Sequence, residues 1–213
     1  EDAVADVIER FKKIEYTPGN RPKVAVFGDL YVRDNDIMNQ DLVHEIEEAG
    51  GEVITTPYNE YAKIISQSYF RKWFKEGQYL VYLRNRSLLA GIEMLEKRYL
   101  EYFDEYLEDV EPPTPDESES ILSMFNMTVE HDGESFDNIL KIFNILKRFP
   151  DISLFVQVSP SFCCPSLIPE AMRSDIERIT GVPIVSLTYD GIATGQNRKI
   201  VPYLRYAAEG STP

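Results

Sequence analysis

Long apolar runs are missing from this 213-residue chain. No window approaches the roughly 20 apolar residues that a membrane-spanning helix needs, so a membrane is not an expected partner. Positive charge is scarce too: 22 Lys and Arg face 36 Asp and Glu, for a formal charge of −14. That balance argues against a nucleic-acid surface, which needs clustered Lys and Arg facing phosphates, and reads instead as solubility. Cysteine is rarer still. Two residues do not make a secreted disulfide framework, and a reducing cytoplasm is the compartment they fit. The two histidines, His44 in a helical stretch and His131 in a distant acidic turn, do not complete a zinc site. There is no P-loop and no internal repeat, and Gly28 and Gly191 each stand alone, which excludes a dinucleotide fingerprint. The N-terminus, Glu1-Asp2-Ala3-Val4, is acidic where a secretion signal would be basic and then apolar, and it carries no initiating Met. The chain is therefore expected to be a piece of something longer.

What is present reads as alternating strands and helices. Residues 1–20 hold a leading helix, with Val4, Val7, Ile8, Phe11 and Ile14 at helical spacing. Lys23 to Asp29 is a short β-branched run closed by Gly-Asp, the first strand, followed by a polar loop from Leu30 to Asp36. A helix is predicted from about Ile37 to Ala49, stopped by Gly50-Gly51, and Glu52 to Pro57 gives a second strand. Together these make a βαβ unit with parallel strands and a right-handed crossover. From Tyr61 to about Asp109 the sequence is helical and rich in aromatics; a stripe such as Leu95, Tyr99, Phe103 and Leu107 reads as packing, not as a cofactor box. Glu111 to Ser118, with three prolines, reads as a break, and another helix is predicted over 136–149. Ile152 to Val158 is the most strand-like run of all. It is followed by the loop Ser159-Pro160-Ser161-Phe162-Cys163-Cys164-Pro165-Ser166, then a helix to about Thr180, a fourth strand from Gly181 to Thr188 ending in Tyr189-Asp190-Gly191, and a last helix to about Ala208.

The predicted fold is α/β, a flavodoxin- or Rossmann-like parallel sheet of about four strands in the order 2-1-3-4. Residues 21–60 and 150–208 make a discontinuous α/β domain, residues 61–149 a helical insertion between strands 2 and 3, and 209–213 a tail. In that order the crossovers from strands 1 and 3 leave in opposite directions, and ligands bind beyond the carboxyl ends of such strands. The loops there carry Asp29, Tyr31, Arg33, Asn35, Ser161, Cys163, Cys164, Tyr189 and Asp190. Adjacent cysteines can ligate an iron-sulfur cluster, whose irons take thiolates from separate segments. They are a poor zinc pair, and a thiolate nucleophile would lack a partner histidine. Small buried cysteines are also common without any function.

Phe162-Cys163-Cys164-Pro165, Tyr189-Asp190-Gly191, and Gly28-Asp29-Leu30-Tyr31-Val32-Arg33 with Asn35 after it resemble the 2-hydroxyacyl-CoA dehydratase family. The likeness is greatest to the C-terminal region of the long CoA-substrate-specific enzyme activases, and it runs from about Arg21 to Leu204. The resemblance implies a Rossmann-like domain that binds a [4Fe-4S] cluster through cysteines from several segments. In that family an activator with an ATPase fold injects one electron to enable radical dehydration of a 2-hydroxyacyl-CoA. A family loop of the form Pro-x-x-Cys-x-Pro places the metal ligand on Cys163, and here Cys164 follows as a second thiol. Asp29, Tyr31, Arg33, Asn35, Ser161, Tyr189 and Asp190 would line the approach, Arg33, Tyr31 and Asn35 as donors to an anionic ligand or to cluster sulfurs. The other ligands would come from further domains of a longer chain or from a dehydratase or activator subunit, so this piece alone is not expected to be an enzyme. The alternative expectation is a metal-free interaction domain that docks a partner through its aromatic middle. A thiol-based redox module is a third, weakened because adjacent cysteines can close only a strained ring.

Overall fold

The computed structural model describes residues 2–16, 19–103, 114–128, 133–192 and 195–210. In chain order the helices are α1 (Asp2–Phe11), α2 (Leu30–Arg33), α3 (Asp36–Asn39), α4 (Leu42–Glu48), α5 (Tyr58–Lys75), α6 (Tyr79–Leu100), α7 (Pro115–Ser123), α8 (Glu134–Arg148), α9 (Cys164–Ala171), α10 (Arg173–Thr180) and α11 (Val201–Gly210). Short 3-10 turns add Glu101–Phe103 and Gln196–Lys199. The strands β1 (Lys23–Gly28), β2 (Glu52–Thr55), β3 (Ile152–Pro160) and β4 (Ile184–Tyr189) form one parallel sheet ordered β2-β1-β3-β4, as the sequence implies. Helices α5 to α8 lie between β2 and β3 in the chain. No helix among the described residues is long and apolar enough to cross a membrane.

Alternating side chains on the strands feed two cores, one on each face of the sheet. Ala25, Phe27, Phe155 and Ile184 pack with Leu122, Ile139, Leu140, Ile142 and Ile176 from α7, α8 and α10. Val24, Val26, Leu154, Val156, Val158, Val185 and Leu187 pack with Leu42, Ile46, Ile200 and Leu204 from α4, α11 and the turn before α11. The β1 crossover therefore covers one face and the β3 crossover the other, which puts the switch point between β1 and β3.

Two compact units make up the chain: residues 20–65 with 112–213 around the sheet, and residues 1–19 with 66–111. The second is held by a ladder of aromatic contacts. Phe70 meets Trp73 and Tyr82, and Phe74 meets Tyr79 and Tyr82, at centroid distances of 5.6–6.0 Å.

Local details differ from the sequence reading for identifiable reasons. The helix expected over 37–49 is broken into α3 and α4 because Gln40 and Asp41 adopt left-handed backbone angles. The Asn39 amide supports the break by donating to the Val32 and Arg33 carbonyls and accepting from the Leu42 N–H. The loop read over 30–36 includes the single turn α2, capped by Asp29. The proline-rich break over 111–118 falls partly outside the described residues. Its second half starts α7 through a capping box: the Thr114 hydroxyl accepts from the Glu117 N–H, the Glu117 carboxylate accepts from the Thr114 N–H, and Pro115 occupies the first turn.

Gly28 sets how closely the central strands approach. Its φ is 117°, and a Cβ built on it would lie 2.2 Å from the Val158 carbonyl oxygen. Gly181 also has a left-handed φ, of 72°, but has nothing within 4 Å. Gly28→Ala is thus expected to cost about 3 kcal/mol or more, through backbone displacement at β3, and Gly181→Ala only about 1 kcal/mol. Urea unfolding of the two variants tests this ordering, and equal losses would contradict it.

Candidate functional site at the carboxyl rim of the sheet

Each residue at the rim is placed by the strand it follows. The ladder between β1 and β3 continues one residue past β1, where the Asp29 N–H donates to the Val158 carbonyl at 2.9 Å. The Asp29 carboxylate then accepts from the Tyr31 and Val32 N–H groups at 3.0 and 2.8 Å. Asn35 caps α3 by accepting from the Met38 N–H, and Asp190 accepts from the Ile192 N–H. These three side chains hold the turns in shape. Tyr31 stays exposed.

Loops from three strands meet here. The Ser161 N–H donates to the Tyr189 carbonyl, linking the loops after β3 and β4. The Tyr189 hydroxyl, buried, donates to the Asn197 side chain at 2.7 Å, and the Asn197 amide donates to the Asn39 and Gln40 carbonyls. Burial pushes the Tyr189 phenol above its ordinary range. The α8 helix joins the same rim through the Ser135 hydroxyl, which donates to the Pro165 carbonyl.

The two thiols differ in setting. Cys163, half-buried, precedes α9 and accepts a hydrogen bond from the Ser166 hydroxyl at 3.4 Å. Cys164 is exposed, its thiol 3.9 Å from the Phe162 carbonyl. Phe162 itself has φ 65° and is 97% exposed, a left-handed aromatic standing in solvent beside both thiols. Two sulfurs do not complete a [4Fe-4S] site, and among the described residues no group of three His, Cys, Asp or Glu side chains is placed to hold a metal ion. His44 pairs with Glu48 on an exposed helix surface, and His131 lies outside the described residues.

Arg33 is 1% exposed. Its guanidinium donates to the Thr56 hydroxyl at 2.6 Å and to Asp34 at 2.9 and 3.2 Å, with the Tyr58 ring 5.2 Å from its centre. The Tyr58 hydroxyl donates to the Leu30 carbonyl at 2.7 Å. Arg33 is therefore within the rim, beneath Tyr58, and its donors face protein groups.

The sequence reading missed a second buried charge cluster. Asp137 and Lys141, one turn apart on α8, pair at 2.6 Å with side-chain exposures of 2% and 0%. Lys141 also sits 5.5 Å from the Tyr61 ring centre, and the second carboxylate oxygen of Asp137 is buried with no hydrogen-bond partner. Burial pushes the Asp137 carboxyl up, against the pull of Lys141 and Arg33. Burial also raises Glu134, with Asp29 and Asp137 adding repulsion. The available signal was the apolar Phe136, Ile139, Leu140 and Ile142 spread round the helix; together with Asn138 they are buried, which leaves no wet face for Asp137 and Lys141.

No family model, no curated protein and no solved structure matches this chain.

A buried pair is far more costly to break than to replace. Asp137→Ala alone should cost about 3–5 kcal/mol, because Lys141 would be left charged and dry, whereas Asp137→Leu combined with Lys141→Met should recover most of that loss. A double-mutant cycle read by urea unfolding checks the expectation, which additive losses would reject.

Proposed function

We propose that this chain is the α/β domain of an iron-sulfur protein related to the 2-hydroxyacyl-CoA dehydratases and their activases, donating Cys163 and Cys164 to a [4Fe-4S] cluster completed by another segment. The observation that carries this reading is the pair of thiols where β3 turns into α9, at the switch point, with Cys164 and Phe162 open to solvent. An incomplete donor set with one thiol exposed suits a ligand shared across an interface, since the irons of such clusters take cysteines from separate segments. The remaining ligands would belong to a further domain or to a dehydratase or activator subunit in the cytoplasm. Low-potential electron transfer or dehydration would be a property of that assembly. Within this chain Asp29, Asn35 and Asp190 fix the neighbouring turns, the Ser166 hydroxyl supports Cys163 through a hydrogen bond to sulfur, Ser161 lies in the same loop as Cys163, and Tyr31 lies in α2 after β1.

Anaerobic isolation of the chain with whatever co-purifies, followed by iron and sulfide analysis and EPR after dithionite reduction, tests the proposal. Cluster content should fall to background in the Cys163→Ala, Cys164→Ala double variant. Unchanged iron and an unchanged EPR signal in that variant would reject it.

A second reading, a metal-free docking domain, is favoured by one specific observation on α6. Leu80, Leu88 and Met94 are 84%, 63% and 70% exposed, more apolar surface than a solvent-facing helix ordinarily carries. Under this reading, Lys at those three positions abolishes co-purification of a partner while the cysteine changes leave it intact. The opposite pattern would retire it.

A further inference from the structure

Four described residues other than glycine have a left-handed backbone: Gln40 (φ 57°), Asp41 (φ 56°), Asn126 (φ 55°) and Phe162 (φ 65°). Asn and Asp tolerate that region through their short polar side chains, whereas Gln and Phe gain nothing there. Both of these exceptions lie at the carboxyl rim. Phe162 is the third residue of a turn closed by the Cys163 N–H, which donates to the Pro160 carbonyl at 3.3 Å. A positive φ at that position ordinarily takes Gly or Asn. The ring is exposed, so packing recovers none of the cost. Gln40 ends α3 where helices usually place Gly, and Asp41 continues left-handed before α4. Backbone held in this way persists only where its surroundings over-determine it.

Those surroundings meet in one side chain. Asn197 is 3% exposed. Its amide N–H groups donate to the Asn39 and Gln40 carbonyls at 2.9 and 2.8 Å, and its oxygen accepts from the Tyr189 hydroxyl at 2.7 Å. Carbonyls only accept, so this orientation of the amide is the one that satisfies all three bonds. Tyr189 is buried, and its own carbonyl accepts from the Ser161 N–H at 2.9 Å, one residue before Phe162. A continuous set of bonds therefore runs from the left-handed segment at Gln40, through Asn197 and Tyr189, to the left-handed turn at Phe162. At the surface the Gln40 side chain adds one further tie, to the Ile192 carbonyl. Cys163 closes the Phe162 turn, half-buried, with the Ser166 hydroxyl on its sulfur.

We propose that Asn197 is the positioning residue of the thiol loop. It holds the Gln40 segment directly, and through Tyr189 it keeps the Pro160–Cys163 turn wound, so that Cys163 stays against Ser166 while Cys164 faces solvent. Asn197 acts on the thiols only through Tyr189 and the turn. As a way of presetting cluster ligands this role rests on the iron-sulfur reading, but it is tested on the metal-free thiols, so its failure would leave that reading standing.

The test is alkylation of the full, reduced chain by iodoacetamide, with the adjacent cysteines separated by tandem mass spectrometry. Asn197→Ala should speed reaction at Cys163 about tenfold, and at the already exposed Cys164 by less than about twofold. Tyr189→Phe, which removes a hydroxyl and no packing, should speed Cys163 about threefold, and it decides the matter if Asn197→Ala does not fold. Gly181→Ala, a destabilising change at the end of α10 and outside this set of bonds, should leave both rates unchanged. Glycine adopts the Phe162 angles freely, so in a Phe162→Gly chain the Asn197→Ala increase should shrink to less than about twofold. An unchanged Cys163 rate in either network variant that folds, an equal rise in Gly181→Ala, or the same factor in the Phe162→Gly chain would overturn the proposal.

Discussion

Two parallel strands whose crossovers leave by opposite faces must still run side by side to their carboxyl ends, and here a missing side chain allows it. Gly28 brings the backbone of β1 so close to Val158 that a methyl group has no room, and the Asp29 N–H extends the ladder one residue further. Because β1 stays in contact with β3 to its last residue, the loops that follow the two strands start close together. The Cys163 loop and the Asp29 turn are neighbours for that reason, although more than half the chain separates them in sequence. Displacing either strand at this point would separate the loops and disturb the core around Val158 together.

Most polar side chains at the rim are engaged by the protein itself. Asp29, Asn35 and Asp190 satisfy backbone N–H groups, Asn197 ties the loop after β4 to Asn39 and Gln40, and Arg33 lies beneath Tyr58. Each of these groups would be costly to leave unpaired if it were withdrawn. Exposed side chains at the rim include Cys164, Phe162, Tyr31 and Ile192, with Cys163 half-buried beside them. The rim is thus rigid in its polar groups and open at the Cys164 sulfur.

The strand order was legible in the sequence because each strand is a short β-branched run closed by Gly, Pro or Asp, and a parallel sheet buries both of its faces. The location of the rim then followed from topology. Side-chain roles were less legible, since a residue that caps a turn and one that contacts a ligand belong to the same types. Arg33 shows this: read as an approach residue, it lies at 1% exposure with protein partners. Asp137 and Lys141 have the i, i+4 spacing of an ordinary surface pair, and only the apolar residues around them betray that no wet face exists. Thr114 and Glu117 had the spacing of a capping box, but three nearby prolines weighed as a break, though proline is welcome in a first turn. Residues beyond Phe103 in the expected long helix fall outside those described until 114.

The chain has a single tryptophan, Trp73, and it belongs to the unit of residues 1–19 and 66–111, against Tyr69 and Phe70. The sheet unit has none. Intrinsic indole emission therefore reports on one compact unit alone, while the sheet and its thiols are spectroscopically silent at that wavelength. An optical melt and a calorimetric trace of the same sample would observe different parts of the molecule.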